Sequence, residues 1–390
     1  MRVEVFEATG PDAVAIVQRK LAEQGESPSF ASLHHCVSAD PTVLVEGLRD
    51  QGTVVLCASS CKGAMTQNAL KAEIALFCLY DSDGDYGAAL RPFNGHAAGA
   101  ARQATDEALL DADRPGEVPA LVWVSATPGS EEAVLAGIES ILGDDVPIIG
   151  GSAADDTIEG NWCLRDQGVQ TSEGVSVAVL FPSGQVSFAY KNGYTPAGPK
   201  GRVTRSLGRE VLEIDGRPAT EVYHEWTAGA VPVTPSAHMD VRPILSDSTL
   251  WPLGRELHHM DGVPSYVLTH PSGATRDGRL QCFANVYEGE LLYQMKGSID
   301  WLTARAGRVA GLACAADGIA KEDVLGALMI YCGGCMLRVE ERLGEVVKGV
   351  QDELGDAPFL GAFTFGEQGQ ILGSGNRHGN LMISCIIFSD

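Results

Sequence analysis

The sequence predicts an α/β fold in which repeated strand–helix–strand units form mixed sheets covered by helices, arranged as two domains. Three observations carry this. A helix–break–strand–loop pattern is written three times, as VLVEGLRDQGTVVLCASSCKGAM from Val43, VLAGIESILGDDVPIIGGSAADD from Val134 and VVKGVQDELGDAPFLGAFTFGEQG from Val346. A further strand stands in front of each helix: SFASLHHCVS, ALVWVSATPG and ALMIYCGGC. The strands that close the units, TVVLCA, VPIIGG and PFLGAF, are apolar without alternation, as strands covered on both faces are.

The opening MRVEVFEATGPDAVAIVQRKLAEQ reads as a strand and a polar helix, without the apolar core or cleavage site of a signal peptide. Helix starts are marked by Ser38 or Asp40 with Pro41, by Pro128 with Ser130 and Glu131, and by an acidic turn at Glu340 and Glu341. Val134, Ile138, Ile141 and Leu142 keep helical spacing. The strands flanking each helix fit either a parallel crossover or a mixed sheet. IALFCLYDS, VSVAVLFPSGQVSFAY and LMISCIIF read as further strands, with Pro182-Ser183-Gly184 as a hairpin turn. After Gly193 proline, glycine and charge accumulate. A hairpin RVTRSLGREVLEIDG and a helix opening at Pro218 follow. The domain boundary belongs here, giving 25–215 and 216–388. SYVLTH and RLQCFANVY are strands of the second domain, and SIDWLTARAGRVAGLACAA is an amphipathic helix.

A chain of 390 residues exceeds one ordinary core, which supports two domains. Hydrophobic residues at 45% and charged residues at 20% describe a globular protein. The net charge of −23 repels phosphate backbones and anionic lipid, so nucleic-acid binding is not expected. No run approaches the roughly 18 apolar residues of a membrane span. Ten cysteines, with Cys57, Cys78, Cys282, Cys332 and Cys385 in apolar strands, read as buried thiols of a reduced cytoplasm.

The loops carry the candidate chemistry. In GGSAADD, Gly150 and Gly151 permit close backbone approach, Ser152 and nearby amides can face an anion, and Asp155 can receive an ammonium; a tight turn with self-capping aspartates explains the same string. In GGCMLRVEE, Cys335 and Arg338 stand at a helix start, as an activated thiol and a carboxylate clamp or as a small core residue and a surface cation. In GAFTFGEQG, Gly366 and Glu367 follow a buried strand. Arg338 with Glu367 would suit a zwitterion, or form a structural ion pair. Cys332 and Cys335 have C-x-x-C spacing, but no second pair completes a zinc site. His238, His258, His259 and His270 cluster in the second domain as candidates for a haem ligand, and no C-x-x-C-H string attaches haem covalently. No Ser–His–Asp order, G-x-S-x-G elbow or H-E-x-x-H string is present.

VPIIGGSAADD, the VTRSLGREVLEIDGRPA stretch, WPLGR at Trp251–Arg255 and GGCMLR with GAFTFGEQG resemble, in that order, the FIST family: a FIST N region followed by a FIST C region. The resemblance implies a cytoplasmic sensory module that binds a small metabolite, amino acids being suggested, and signals to a separate partner, since no output domain accompanies it. A bacterial subset implies a haem-based nitric-oxide sensor that regulates a histidine kinase. An enzyme acting on a small metabolite, with Cys335 as nucleophile, is the third reading.

Overall fold

The computed structural model describes residues 1–260 and 263–390; the side chains at 258–260 and 263, His258 and His259 among them, lie outside that description. The repeat goes deeper than the three strings suggest. The first unit runs strand Arg2–Ala8, helix Ala13–Ala22, strand Phe30–His35, helix Thr42–Asp50, then strands Val54–Ser59, Ala64–Thr66 and Ile74–Tyr80. The second repeats that order with Asp85–Pro92, Ala97–Asp111, Leu121–Ala126, Glu131–Leu142, Ile148–Ser152, Leu164–Asp166 and Gly174–Phe181. The third does so with Gln185–Asn192, Ile299–Ala316, Val324–Cys332, Leu343–Leu354, Phe359–Thr364, Glu367–Ile371 and Met382–Ser389.

In each unit the strands on either side of the second helix pair in parallel, in registers that include Leu33 with Cys57, Val124 with Gly150 and Ile330 with Ala362. Antiparallel strands flank these pairs, so the crossover and mixed-sheet readings are both correct. The helices form because one face is apolar at helical spacing: Leu44, Val45 and Leu48; Val134, Leu135 and Ile138; Val346, Val347 and Val350, all buried. Each helix pair covers the outer face of its own sheet. The inner faces of the three sheets share one core, in which Phe77 lies 5.4 Å from Phe388 and Trp123 donates to Ser32 Oγ at 3.0 Å.

One strand of every unit leaves its own sheet. Ala64–Thr66 pairs with Phe359–Thr364, Leu164–Asp166 with Val54–Ser59, and Glu367–Ile371 with Ile148–Ser152. The exchange is cyclic: first unit to third, second to first, third to second. The loops after the closing strands complete the ring, with Cys61 N donating to Phe363 O at 3.0 Å, Ala154 N to Ser59 O at 3.0 Å and Ser152 N to Gly366 O at 2.7 Å.

Pro182-Ser183-Gly184 does not turn a hairpin. Gly174–Phe181 already has partners on both edges, Asp85–Pro92 and Leu121–Ala126, so the chain crosses to another sheet and Gln185–Asn192 pairs with Met382–Ser389. Asp81 holds the crossing through Ser183 N at 2.9 Å and Ser183 Oγ at 2.5 Å. A separate sheet, from Thr195–Leu207 to Leu291–Lys296, is inserted in the third unit after its first strand. Within it Thr195–Leu207 and Glu210–Ile214 form the expected hairpin, and residues 215 and 216 turn the chain into Arg217–Pro218. The strand Leu280–Cys282 stops before FANVY. The helix after Val324–Cys332 is broken into Gly333–Arg338, a short turn Glu340–Arg342 and Leu343–Leu354. All ten cysteines are free, and no helix among the described residues is long and apolar enough to cross a membrane.

Gly150 is required by the crossover: a Cβ there would stand 1.8 Å from Val124 O. Gly150→Ala is expected to destabilise the protein by about 3 kcal/mol, because only a shift of the strand relieves a backbone clash. Urea unfolding would measure this, and an unchanged midpoint would show that the pair can slide apart freely.

Candidate functional site

A cavity of about 180 Å³ opens beside the carboxyl ends of the parallel strands Val324–Cys332 and Phe359–Thr364, the end at which α/β sheets hold ligands. Five parts of the chain build it: the loop at Ile158, the turn at Leu245–Thr249, His270 with Phe283 of the inserted sheet, the helix Gly333–Arg338, and Thr364, Phe365 and Asn380. The wall is mainly apolar and, among the described residues, contains no Asp or Glu. Two glycines after Cys332 let the helix turn close to its neighbours; a Cβ on Gly333 would lie 3.2 Å from Thr364 O.

His270 is wholly buried in this wall. Its backbone N–H donates to Asn380 Oδ1 at 3.1 Å, and its Nε2 lies 3.1 Å from Leu245 O. A carbonyl only accepts, so Nε2 carries the proton and Nδ1 is the acceptor side of the ring. Burial, partly offset by that carbonyl, lowers the imidazole to about 4, and it is neutral at pH 7. Asn380 is buried, and its Nδ2 has no partner among the described residues. Arg338 stands exposed at the rim, with no ion pair among the described residues.

Of the residues singled out in the sequence, Arg338 and His270 line this cavity. Cys335 is fully buried behind Cys332, which does line it. Glu367 lies in the strand Glu367–Ile371, outside the wall, where Oε2 accepts from Met382 N at 2.9 Å and Oε1 from Thr364 Oγ1 at 3.1 Å. Burial, with Cys335 nearby, raises its carboxyl well above the usual range. A carboxyl that does not reach the cavity is not one half of a zwitterion clamp, and Glu367 makes no ion pair with Arg338. Asp155 is spent on its own loop, accepting from the amides of Thr157, Ile158, Glu159 and Asn161. That is the self-capping turn. Gly150, Gly151 and Gly366 serve close packing: a Cβ on Gly151 would meet Thr364 at 2.5 Å, and one on Gly366 would meet His378 at 2.7 Å. Ser152 Oγ donates to Glu131 at 2.8 Å. His238 is exposed.

A second cluster joins the second unit to the inserted sheet. Arg209 Nη2 reaches Glu131 Oε2 at 2.6 Å and Glu132 Oε2 at 2.8 Å, with His378 beside them. Burial opposes ionisation of Glu131, but His378 and Arg209 outweigh it and hold the carboxyl below its usual range. The two carboxylates and the imidazole are spaced closely enough to hold a metal ion, yet the guanidinium already fills the place of the cation.

Sequence reading missed Leu245, Thr249, Phe283, Thr364, Phe365 and Asn380 as wall residues, because the inserted sheet folds back over the third unit from far along the chain. Arg305 was missed as well, though it carried a signal: it shares the apolar stripe of Leu302, Ala306 and Val309 in Ile299–Ala316.

Comparison with known proteins gives one partial relative, an uncharacterized protein of Methanocaldococcus jannaschii, 33% identical over 98 residues. The match spans 25% of this chain and 18% of that protein. Among solved structures, a cyanuric acid hydrolase from A. caulinodans aligns over 100% of this chain and 98% of its own at 10% identity and a TM-score of 0.36. PurLQS from Thermotoga maritima aligns over 78% and 73% at 8% identity and a TM-score of 0.22. The FIST N domain model matches residues 29–217 and the FIST C domain model residues 219–370. With both regions present in order, the chain belongs to the FIST family, whose domains are sensory and bind small ligands.

Proposed function

We propose that this is a cytoplasmic sensory protein that takes a compact ligand into the cavity between the inserted sheet and the third unit, and signals to a separate protein partner. The observation that carries the reading is an apolar cavity in which, among the described residues, no wall residue is acidic, Arg338 at the rim makes no ion pair and the Asn380 amide has no partner. A buried donor without an acceptor is costly, and a ligand oxygen would satisfy it. This chemistry favours a neutral or anionic molecule with a small apolar body, such as a short carboxylic acid. An amino acid would bring an ammonium for which the wall has no carboxylate. At about 180 Å³ the space is below the roughly 300–1,000 Å³ of drug-sized sites.

The test is a thermal-shift screen of small neutral and carboxylate metabolites on the intact chain. An acid that stabilises the wild type should bind about 10- to 100-fold more weakly to Arg338→Ala, as expected for a lost charge-assisted hydrogen bond. Stabilisation by amino acids alone, or equal affinity in Arg338→Ala, would overturn the reading.

His270 gives the haem alternative, with nitric oxide as signal and a histidine kinase as target, its one concrete support, since it is a buried imidazole facing an apolar cavity. The present wall does not fit a porphyrin: Nε2 is engaged by Leu245, and the space is too small. A Soret band on haemin addition, absent in His270→Ala, would establish that alternative against the first.

A further inference from the structure

Beneath the cavity lies a buried cation that makes no ion pair among the described residues. Arg305 is 3% exposed, and its Nη1 donates to Leu381 O at 2.8 Å. Its Nε and Nη2 have no hydrogen-bond partner, and no ion pair to Arg305 occurs among the described residues. The guanidinium centre lies 5.3 Å from the ring of Tyr331 and 5.8 Å from that of Tyr194. A guanidinium does not lose its proton, and an isolated charge in a core is expensive, so a negative group must balance it. Burial pushes the Glu367 carboxyl well above the usual range against the pull of Arg305, and its oxygens accept from Thr364 Oγ1 and Met382 N. The groups that act most strongly on Arg305 are Cys335, Tyr331, Tyr194 and Cys332. Of these the thiols ionise most readily.

Cys332 ends its strand and caps the helix Gly333–Arg338; Cys335 follows one turn later, behind it. Tyr194 OH is 3.6 Å from Cys335 Sγ. Burial alone would raise the Cys335 thiol, but a hydrogen bond from Cys332 and the charge of Arg305 bring it down to about 6. The same hydrogen bond, with burial, pushes Cys332 well up. Cys57, Cys61, Cys78, Cys163, Cys282, Cys314 and Cys385 are all raised, chiefly by burial. Cys335 differs from them in facing a fully buried guanidinium that makes no ion pair among the described residues, and in lying three residues from Cys332 of the cavity wall.

We propose that Cys332 and Cys335 form a reactive dithiol, read through the cavity, that a small hydroperoxide converts to a disulfide. Cys332 passes its proton to the Cys335 thiolate, and its sulfur attacks the distal oxygen of the hydroperoxide. The S–O bond forms as the O–O bond breaks. The alkoxide or hydroxide released takes the proton back from Cys335, leaving Cys332 as a sulfenic acid. The Cys335 thiolate then attacks Cys332 Sγ. The S–S bond forms, hydroxide leaves, and a solvent proton converts it to water. The two sulfurs are oxidised and the peroxide is reduced. Disulfide formation removes the thiolate that balances Arg305, in the helix that carries Leu337 and Arg338 of the cavity rim. The inference needs only the cavity as a route and does not depend on which ligand is sensed.

The experiment treats the reduced full chain with one equivalent of hydrogen peroxide and follows free thiols and peptide masses. The expected result is loss of two thiols, with one peptide lighter by two hydrogens at Cys332–Cys335, reversed by dithiothreitol. Cys335→Ser removes the group that takes the Cys332 proton and should leave Cys332 a free thiol, and Cys332→Ser should keep its Cys335 thiol at that dose. If Cys335→Ser does not fold, Cys332→Ser and the wild type still decide. Recovery of that wild-type peptide as two free thiols while other cysteines oxidise, or equal thiol loss in Cys332→Ser, would overturn the proposal.

Discussion

Lowering the pH from 7 to 5 is expected to destabilise the fold, three buried imidazoles removing about 5 kcal/mol and the buried Glu367 carboxyl, raised in the fold, returning part of it. His34, His35 and His270 are almost wholly inaccessible to water. Burial lowers them from 6.5 to about 3, 4 and 4; the charge of His35 adds to the effect on His34, and carbonyls of Cys36 and Leu245 offset part of it on the other two. The folded protein keeps them neutral while the unfolded chain takes up protons below about pH 6.5. Stability from this source is therefore complete above that value. It is lost as the pH falls toward the folded values, at about 1.4 kcal/mol per pH unit for each histidine. Against the roughly 5–15 kcal/mol of a typical domain, that loss is large. Urea unfolding at pH 7, 6 and 5 would show it, and His270→Gln should flatten the slope by about a third. An unchanged slope in His270→Gln would mean that this ring protonates in place.

Glu131→Ala is expected to cost about 3–5 kcal/mol, the range for removing one partner of a buried ion pair. Glu131 is 1% exposed and accepts from Arg209, from Ser152 Oγ and from Gly129 N at 3.0 Å. Its removal leaves a half-buried guanidinium facing Glu132 alone and a buried hydroxyl without its acceptor. Arg209→Ala alone should also destabilise, and the double variant should cost less than the two single ones added, since each removes the same contact. Strict additivity in a double-mutant cycle would refute the clasp. Because the folded carboxyl lies below its unfolded value, this contribution is present at neutral pH and is lost only as the pH falls through the low folded value, below the histidine window.

How much of this was legible depended on the sequence range of each interaction. The three parallel crossovers were readable because a helix of spaced Val, Leu and Ile and its flanking strands lie within some forty residues. The exchanged strands were not: Ala64–Thr66 is three residues long, and nothing local says that it pairs with Phe359–Thr364 rather than with its own unit. The same holds for Pro182-Ser183-Gly184, where turn chemistry was correct and pairing was not. Arg338 was legible because two glycines announce a close turn into a helix. Glu367 misled because Gly366 and Gly369 look like a loop, whereas both make room for packing: a Cβ on Gly369 would stand 2.3 Å from the ring of Tyr190. Arg305 sits on an apolar stripe, a local conflict that marks a residue held for a purpose.

The cyclic passing of strands has a consequence for synthesis. Ser60 and Phe363, joined through Ser60 Oγ to Phe363 N at 2.8 Å, are 303 positions apart, and Ser152 and Gln368 are 216 apart. While the chain emerges from the ribosome, the first sheet can gain its partner strand from the second unit. The second sheet keeps a bare edge at Ile148–Ser152 until Glu367–Ile371 has been made. Contacts this distant slow folding, and an unpaired edge recruits other chains. The first two units on their own should therefore be prone to association, and the last few dozen residues act as the latch that releases a folded molecule.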